Sequence, residues 1–334
     1  MTRKLAWGVL GVAKIATEKV IPAMQRGALT RVDGIASRDG ARAREAADRL
    51  GIARAYGSYE ALLADPAIEA IYNPLPNELH VPWTIRALEA GKHVLCEKPI
   101  ALDAEEARTL LAARARSGKL VAEAFMVRFH PQWRRAREIA LSGEIGAPTA
   151  IQTFFSYRLL DPANIRNKPP GGGALYDIGC YAILTARHIF GAEPVRIAAT
   201  MDIDPVMGTD RLVGALAEFP GGRQLSFACA TQTSPHQRVT IAGDRGRIEV
   251  AVPFNAPPDR PTAITIDTGA DLFGGGARRE EFPVCDQYTL QGDAFARAAF
   301  GEANWDYPLE DAIANMRAID AVFRAAKSGR WETV

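Results

Sequence analysis

The chain has 334 residues, of which 48% are hydrophobic and 24% charged, and this favours a folded protein of about two domains. Lysine and arginine (40 residues) nearly balance aspartate and glutamate (39), so the net charge of +1 indicates neither a nucleic-acid nor an anionic-membrane partner. The four cysteines form no CxxC pair and the five histidines show no HExxH spacing, so we expect no metal site. We recognise no secretion signal and no apolar stretch of the ~20 residues that span a bilayer, which favours a cytoplasmic protein.

The first part of the chain alternates short apolar runs with amphipathic stretches, the pattern of a parallel sheet with helices on both faces. The predicted strands are Leu5–Leu10, Arg31–Ala36, Ile68–Tyr72, His93–Cys96 and Leu120–Ala124. The predicted helices are one that ends near Arg26, then Asp39–Leu50, His80–Glu89 and Ala104–Arg116. We therefore predict an α/β dinucleotide-binding domain, a doubly wound Rossmann sheet, over residues 1–125.

From residue 126 onward the pattern changes to a meander of antiparallel strands joined by short turns, which predicts a second domain over residues 126–334. Its predicted strands are Thr149–Ser156, Val195–Asp202, Leu212–Phe219, Gln224–Gln232, Arg238–Ile241, Arg247–Val252 and Ala263–Asp267. Helices are predicted near Leu175–Phe190, Tyr288–Phe300 and Leu309–Lys327, and the last of them could pack back on the first domain. The stretch 256–279 is rich in proline and glycine, which favours loops and an edge strand.

A short turn after the first strand resembles the G-x-G-x-x-G phosphate-binding turn, although only Gly11 of the three glycines is present and Ala13 and Ala16 replace the others. Lys14 and Ile15 would open the following helix, whose N-terminal N–H groups suit a phosphate. The alternative is a plain turn between two core elements.

The second strand ends in Ser37, Arg38 and Asp39, the place where such domains distinguish NADP from NAD. A hydroxyl and a guanidinium suit the 2′-phosphate of NADP, so we expect NADP, with NAD as the alternative. Asp39 could oppose this by repelling the phosphate or pairing with Arg38, or it could be the N-cap of the next helix.

Two further positions carry groups suited to chemistry. Lys98 follows a buried strand, at the edge of the sheet where ligands bind, unless it is a surface lysine paired with Glu97. Asp177 and Tyr181 follow the glycine-rich segment 171–173 and share one face of the predicted helix, which suits a hydroxylated substrate. The alternative is a charge in the first turn of the helix and a half-buried core tyrosine.

Taken together, these segments resemble the Gfo/Idh/MocA oxidoreductases. The similarity covers nearly the whole chain and rests on the stretches 8–16, 72–80, 90–99 and 171–181, of which the Ala-Gly-Lys-His and Glu-Lys-Pro segment is the most specific. Segments 124–131 and 164–166, together with Tyr181, are similar to the branch of NADP-dependent D-xylose dehydrogenases and dimeric dihydrodiol dehydrogenases. Asp33 and Gly34 depart from the family's apolar second strand and affect the expected strand register.

The resemblance implies a Rossmann domain followed by an α+β domain with a large open, mostly antiparallel sheet that mediates a homodimer or homotetramer. It implies that the nicotinamide lies near Lys98, that Tyr181 is the proton acceptor, and that Asp177 orients the substrate. It assigns further cofactor contacts to Pro74, Asn77, His80 and Glu97, and substrate contacts to Arg128, His130, Phe154, Tyr157, Asn164 and Arg166.

The activity implied is hydride transfer between a sugar or cyclic polyol and NADP, with an aldose such as D-xylose as the first expectation. The alternatives are a dihydrodiol dehydrogenase, a keto-sugar reductase of the 1,5-anhydrofructose type, or a nucleotide-sensing regulator without catalysis. The presence of Lys98, Asp177 and Tyr181 together argues against the regulator.

Overall fold

The computed structural model describes residues 3–334, and the chain divides into two compact units. Unit 1 comprises the chain up to Met126 together with Asp286–Ile313, and unit 2 comprises Val127–Cys285 and Ala314–Val334. The sequence-based division assigns every residue from 126 onward to the second domain, whereas in the structure Asp286–Ile313 cluster with unit 1.

The chain contains strands β1 (Leu5–Leu10), β2 (Thr30–Ala36), β3 (Arg54–Tyr56), β4 (Ala70–Asn73), β5 (His93–Cys96), β6 (Val121–Glu123), β7 (Pro148–Arg158), β8 (Arg196–Ile203), β9 (Asp210–Phe219), β10 (Arg223–Ala230), β11 (Gln232–Gly243), β12 (Arg247–Val250), β13 (Thr262–Asp267), β14 (Ala277–Phe282) and β15 (Glu332–Thr333). The helices are α1 (Ile21–Arg26), α2 (Gly40–Leu50), α3 (Tyr59–Ala64), α4 (His80–Glu89), α5 (Ala104–Ser117), α6 (Pro131–Ser142), α7 (Cys180–Phe190), α8 (Gln287–Ala299) and α9 (Leu309–Ser328). Two π-helical segments, Ala16–Val20 and Leu175–Gly179, lead directly into α1 and α7.

Unit 1 is built on a six-stranded parallel sheet with the strand order β3-β2-β1-β4-β5-β6. This order reverses direction between β1 and β4, and ligands of open α/β sheets bind beyond the carboxyl ends of the strands at such a point. The predicted Rossmann fold is confirmed.

A β-bulge in β2 explains how a polar residue is tolerated in this sheet. Trp7 pairs with Val32 and Gly8 with Gly34, so Asp33 has no partner residue on β1, and its carboxylate binds Arg31 at 3.0 Å. A Cβ atom on Gly34 would lie 3.0 Å from the ring of Tyr56, so only glycine fits there without a shift of the ring. The register is regular again from Gly34 to Ala36, where β2 ends.

Helix α8 belongs to unit 1 because its side chains complete the core beneath β1 and β2. The rings of Phe295 and Trp7 lie 4.9 Å apart, and both side chains are fully buried. The carboxylate of Asp293 accepts hydrogen bonds from the N–H groups of Ala28 and Leu29 just before β2.

Unit 2 is built on a nine-stranded sheet with the order β14-β13-β12-β11-β7-β10-β9-β8-β15. Neighbouring strands are antiparallel except β7 and β10, which are parallel. The mostly antiparallel α+β architecture is thus confirmed, and β14 supplies the predicted edge strand. Among residues 3–334, no helix combines the length and the apolar run needed to cross a bilayer.

Candidate active site

The turn after β1 has the backbone geometry of a phosphate-binding turn. Gly11 has φ +84°, in the left-handed region, and a Cβ atom there would lie 3.1 Å from the Leu75 side chain. Its N–H donates to the carbonyl of Ala36 at 2.8 Å, which ties the turn to the end of β2. Ala13 is partly exposed, and Lys14 and Ile15 open the helical stretch that leads to α1, so N–H groups of a helix start lie at this edge of the sheet.

The end of β2 presents a free cation. Asp39 is the N-cap of α2, since its carboxylate accepts from the N–H groups of Ala41 (2.9 Å) and Arg42 (3.3 Å). Arg38 is exposed, and within residues 3–334 its guanidinium forms neither a hydrogen bond nor an ion pair. Ser37 is buried and its hydroxyl accepts from the N–H of Asp39 at 3.2 Å. These residues fit a dinucleotide that carries a phosphate on its adenosine ribose.

The loop after β5 is fixed by the carboxylate of Glu97. It accepts a hydrogen bond from the Tyr72 hydroxyl at 2.7 Å and another from the backbone N–H of Lys98 at 3.3 Å. Lys98 itself is half-buried. Sequence reasoning missed Tyr288 at the start of α8: burial and the negative charge of Glu97 raise its pKa, and Lys98 opposes that shift. Tyr288, Glu97 and Lys98 are therefore neighbours within unit 1.

His80 is enclosed in the protein, in contrast to its predicted contact with the cofactor. Its ring nitrogens lie 2.7 Å from the carbonyl oxygen of Pro99 and 2.8 Å from that of Leu75, and only 1% of the residue is exposed. Burial lowers its pKa to about 4, although the two carbonyl contacts act in the opposite direction, and the neutral ring donates to only one of these carbonyls. Both ring nitrogens are occupied by backbone groups, so His80 connects the loops that follow β4 and β5. Pro74 and Asn77 lie in the first of these loops.

In unit 2, Asp177 lies in a polar cluster with two predicted substrate residues. The Tyr157 hydroxyl donates a short hydrogen bond to the Asp177 carboxylate, and a guanidinium nitrogen of Arg166 lies 3.7 Å from the same oxygen. The Arg166 guanidinium also lies 5.3 Å from the centre of the Tyr157 ring. Asn164 orders this loop, because its side-chain oxygen accepts from the N–H of Arg166 at 3.1 Å.

The ring of Tyr181 is packed among aromatic side chains. It lies 5.3 Å from the ring of Phe254 and 6.1 Å from that of Phe155, and the residue is 6% exposed. Phe155 and Tyr157 are two residues apart on β7 and so point to the same face of the sheet. Asp177 and Tyr181 therefore approach the same face of β7, through Tyr157 and Phe155 respectively.

Strand alternation separates two of the predicted substrate residues. Phe154 points to the opposite face of β7 from Tyr157 and packs against His236 at 5.6 Å, although both residues were predicted as substrate contacts. Sequence reasoning missed Phe155 and Phe254 instead, and the period-two pattern of β7 could have identified the first of them.

Two further predicted substrate residues are buried. His130 is 1% exposed and is the N-cap of α6: its Nδ1 accepts from the N–H of Gln132 at 3.2 Å, and its Nε2 lies 3.4 Å from the Cys285 sulfur. Both ring nitrogens thus have partners within unit 2, in contrast to the predicted substrate contact. Arg128 is 5% exposed and lies in the short helical turn Met126–Phe129.

Two models of one oxidoreductase family match the chain, and similar proteins are oxidoreductases as well. Residues 5–125 match the family model described as "Oxidoreductase family, NAD-binding Rossmann fold" and residues 133–249 match the GFO/IDH/MocA C-terminal domain. The chain is 49% identical to the uncharacterized oxidoreductase ORF334 of Rhizobium meliloti, over 98% of each protein. It is 38% identical to D-xylose 1-dehydrogenase (NADP(+)) 2 of Haloferax volcanii, over 97% of this chain and 98% of that protein. Among solved structures, the 3-ketoreductase KijD10 of Actinomadura kijaniata, in complex with NADP and TDP-benzene, matches with a TM-score of 0.90 and 30% identity, over 97% of this chain and 98% of that one.

Proposed function

The chain belongs to the Gfo/Idh/MocA family of oxidoreductases, and from this we propose that it transfers hydride between NADP and a carbinol carbon of a sugar. The relatives described above include a D-xylose 1-dehydrogenase that uses NADP(+) and a 3-ketoreductase that binds NADP. The finer assignment is an aldose 1-dehydrogenase acting on a D-xylose-like sugar. The observation that carries it is the Asp177–Tyr157–Arg166 cluster, on the face of β7 that Tyr181 also approaches, a set of hydrogen-bonding groups suited to a hydroxylated ligand.

We propose that the turn at Gly11, Ala13, Lys14 and Ile15 binds the cofactor pyrophosphate and that Ser37 and Arg38 bind the 2′-phosphate. Pro74, Asn77, Glu97 and Lys98 would border its nicotinamide end. The bound nicotinamide supplies the hydride acceptor or donor. The preference for NADP rests on the free guanidinium of Arg38, since Arg binds phosphate oxygens as a fork.

In the oxidative direction, the substrate hydroxyl must lose its proton as the hydride leaves. We propose Tyr181 as the group that accepts this proton. A free phenol has a pKa of ~10 and is a poor base at neutral pH, so it needs a nearby positive charge, and we assign that role to the ammonium of Lys98. Asp177 accepts a hydrogen bond from a neighbouring substrate hydroxyl and thereby fixes the orientation of the sugar. In the reductive direction Tyr181 donates the proton.

Tyr181→Phe tests this assignment. It removes only the hydroxyl and leaves the ring among Phe155 and Phe254, so we expect kcat to fall ~10²–10⁴-fold while NADPH binding, followed by fluorescence titration, stays within about twofold. If Lys98 acts on the same proton, adding Lys98→Met to Tyr181→Phe should cost much less than Lys98→Met alone. Wild-type turnover in Tyr181→Phe would exclude Tyr181 as the proton acceptor.

The substrate is tested by a panel of aldoses, inositols, dihydrodiols and keto-sugars, read as NADPH absorbance. We expect the highest kcat/KM for a pentose. A second candidate is a keto-sugar reductase, favoured by the match to a 3-ketoreductase at a TM-score of 0.90. Oxidation of no aldose, with reduction of a keto-sugar by NADPH, would favour that candidate instead.

We further propose a homodimer or homotetramer that forms through the nine-stranded sheet. On β9, residues such as Val213 and Ala217 are buried, while Leu212, 44% exposed, points to the opposite face together with the partly exposed Gly214 and Leu216. An apolar sheet face of this kind is stabilised by a second copy. Light scattering should give at least twice the 36.1 kDa of the chain, and Leu212→Glu should lower that mass.

A further inference from the structure

Asp210, the first residue of β9, is a buried carboxylate with no cationic partner. It is 4% exposed, and among residues 3–334 no lysine, arginine or histidine lies within ion-pair distance of it. The next residue, Arg211, has its guanidinium turned to Asp202 at 2.7 Å and Asp204 at 3.7 Å. A carboxylate taken out of water in this way is costly unless backbone N–H groups compensate it.

The partners of Asp210 are the backbone groups at the start of the helix that carries Asp177 and Tyr181. One oxygen accepts from the N–H of Leu175 at 2.7 Å, and the N–H of Ala174 also donates to the carboxylate. A Cβ atom on Gly173 would lie 1.9 Å from the other oxygen, and Gly173 has φ +119°. The glycine at this position is therefore explained by the approach of Asp210.

The same few residues connect the rest of the polar cluster. The N–H of Gly173 donates to the carbonyl of Arg166, and the carbonyl of Gly173 accepts from the N–H of Asp177 at 3.0 Å. A displacement of Gly173 would thus move both Arg166 and Asp177 at once. Tyr181 follows one helical turn later.

We propose that Asp210 is a positioning residue, whose ionised carboxylate holds the start of this helix so that Asp177 and Tyr181 meet the substrate in the reactive orientation. The inference rests on the proposed function, because it assigns Asp210 an effect on catalysis through those two side chains. A negative charge at a helix N-terminus is favourable, whereas a protonated carboxyl loses this interaction and part of its acceptor capacity.

The structure also predicts how this effect depends on pH. Burial raises the pKa of Asp210 to about 6, although the N–H donors act in the opposite direction. The ionisable group that faces Asp210 from β10 is Cys229, which in turn faces Asp177 and Cys180; Asp202 and Asp204 from the β8 side are neutralised by Arg211. Burial also raises the pKa of Cys229, so this thiol stays neutral. Turnover should therefore decline below pH ~6 as Asp210 takes up a proton.

Asp210→Asn tests the proposal because it keeps the shape of the side chain and removes its charge. We expect kcat to fall ~10–100-fold, the effect of a small misplacement of reacting groups, with the KM for NADP unchanged within about twofold. The decline of kcat with a midpoint near pH 6 should disappear in the variant. The matched control is Asp202→Asn on the neighbouring strand, which should leave both kcat and the pH profile as in the wild type.

Gly173→Ala tests the contact between Gly173 and the Asp210 carboxylate without changing any charge. It replaces the first test if Asp210→Asn does not fold. It should lower kcat to a similar extent and leave the KM for NADP unchanged. Wild-type kcat and an unaltered pH profile in Asp210→Asn, or wild-type kcat in a folded Gly173→Ala, would overturn the inference. If Tyr181→Phe loses activity while Asp210→Asn or Gly173→Ala behaves like the wild type, only the role of Asp210 is overturned. If Tyr181→Phe keeps full activity, the proposed function itself is overturned.

Discussion

The proposed discrimination between NADP and NAD depends on one exposed side chain, Arg38, next to an acidic residue. Asp39 caps the N-terminus of α2, because its carboxylate accepts from the N–H groups of Ala41 and Arg42. The helix therefore partly compensates its negative charge. The guanidinium of Arg38 remains available for a phosphate.

Arg38→Ala should weaken NADP binding about 10–100-fold, the value of a charge-assisted hydrogen bond, and leave NAD binding nearly unchanged. Isothermal titration with both cofactors measures the two affinities. As a control, Asp39→Asn keeps the helix cap and removes the negative charge, so NADP should bind equally well or better while the free energy of unfolding hardly changes. An equal loss for NADP and NAD in Arg38→Ala would contradict the proposed 2′-phosphate contact.

At the residue scale, the sequence identified the chemical groups better than their surroundings. Lys98, Asp177 and Tyr181 were predicted from type and position, and Asp177 and Tyr181 do approach one strand face. Asp210 and Phe254 could not be predicted, because they lie 33 and 73 residues from Asp177 and Tyr181 in the chain and reach them only through sheet pairing. His80 and His130 were predicted as ligand contacts because the sequence does not reveal that other groups of the protein occupy their ring nitrogens, two backbone carbonyls for His80 and a backbone N–H and the Cys285 sulfur for His130.

At the element scale, hydrophobic periodicity and the glycines that end helices located most of the longer elements, but the twelve-residue helix α6 was not predicted. The bounds of β1, β5 and α4 agree with the sequence prediction, since apolar runs and glycines mark them clearly. The three-residue β3 and six-residue α3 were missed because they are too short to show a period. The π-helical segments before α1 and α7 were missed because a search for a period of 3.6 residues does not detect a wider turn.

The loops that carry the candidate site are themselves held by single side chains, and His80 is the clearest case. It contacts the carbonyl of Leu75, after β4, and that of Pro99, one residue beyond Lys98. His80→Leu would leave these buried carbonyls without the imidazole, at a cost of about 1–3 kcal/mol in the free energy of unfolding. We expect a corresponding loss of stability in urea and a lower kcat, with partial recovery of both in His80→Gln. Wild-type stability and turnover in His80→Leu would show that the contact does not order these loops.

At the scale of the whole molecule, two buried histidines and the half-buried His93 predict how stability changes with pH. Burial lowers the pKa of His80, His93 and His130 to about 4, below their ordinary 6.5. Between these values the unfolded chain takes up protons that the folded protein does not, so their contribution to stability is complete above pH 6.5 and is lost as the pH falls towards 4. Asp210 acts in the opposite direction, because its raised pKa makes the folded state bind a proton first.

His130→Asn isolates one of these contributions. Asparagine is also a good N-cap, so α6 should keep its first hydrogen bond while the titrating ring is removed. Urea unfolding at pH 7.5 and pH 5 should show that the wild type loses about 1–2 kcal/mol more than the variant between the two conditions, and the contribution of Asp210 cancels in this difference. A variant that loses as much stability as the wild type would mean that His130 takes up its proton in the folded protein near its ordinary pKa, and the acid sensitivity would then have to arise from other groups.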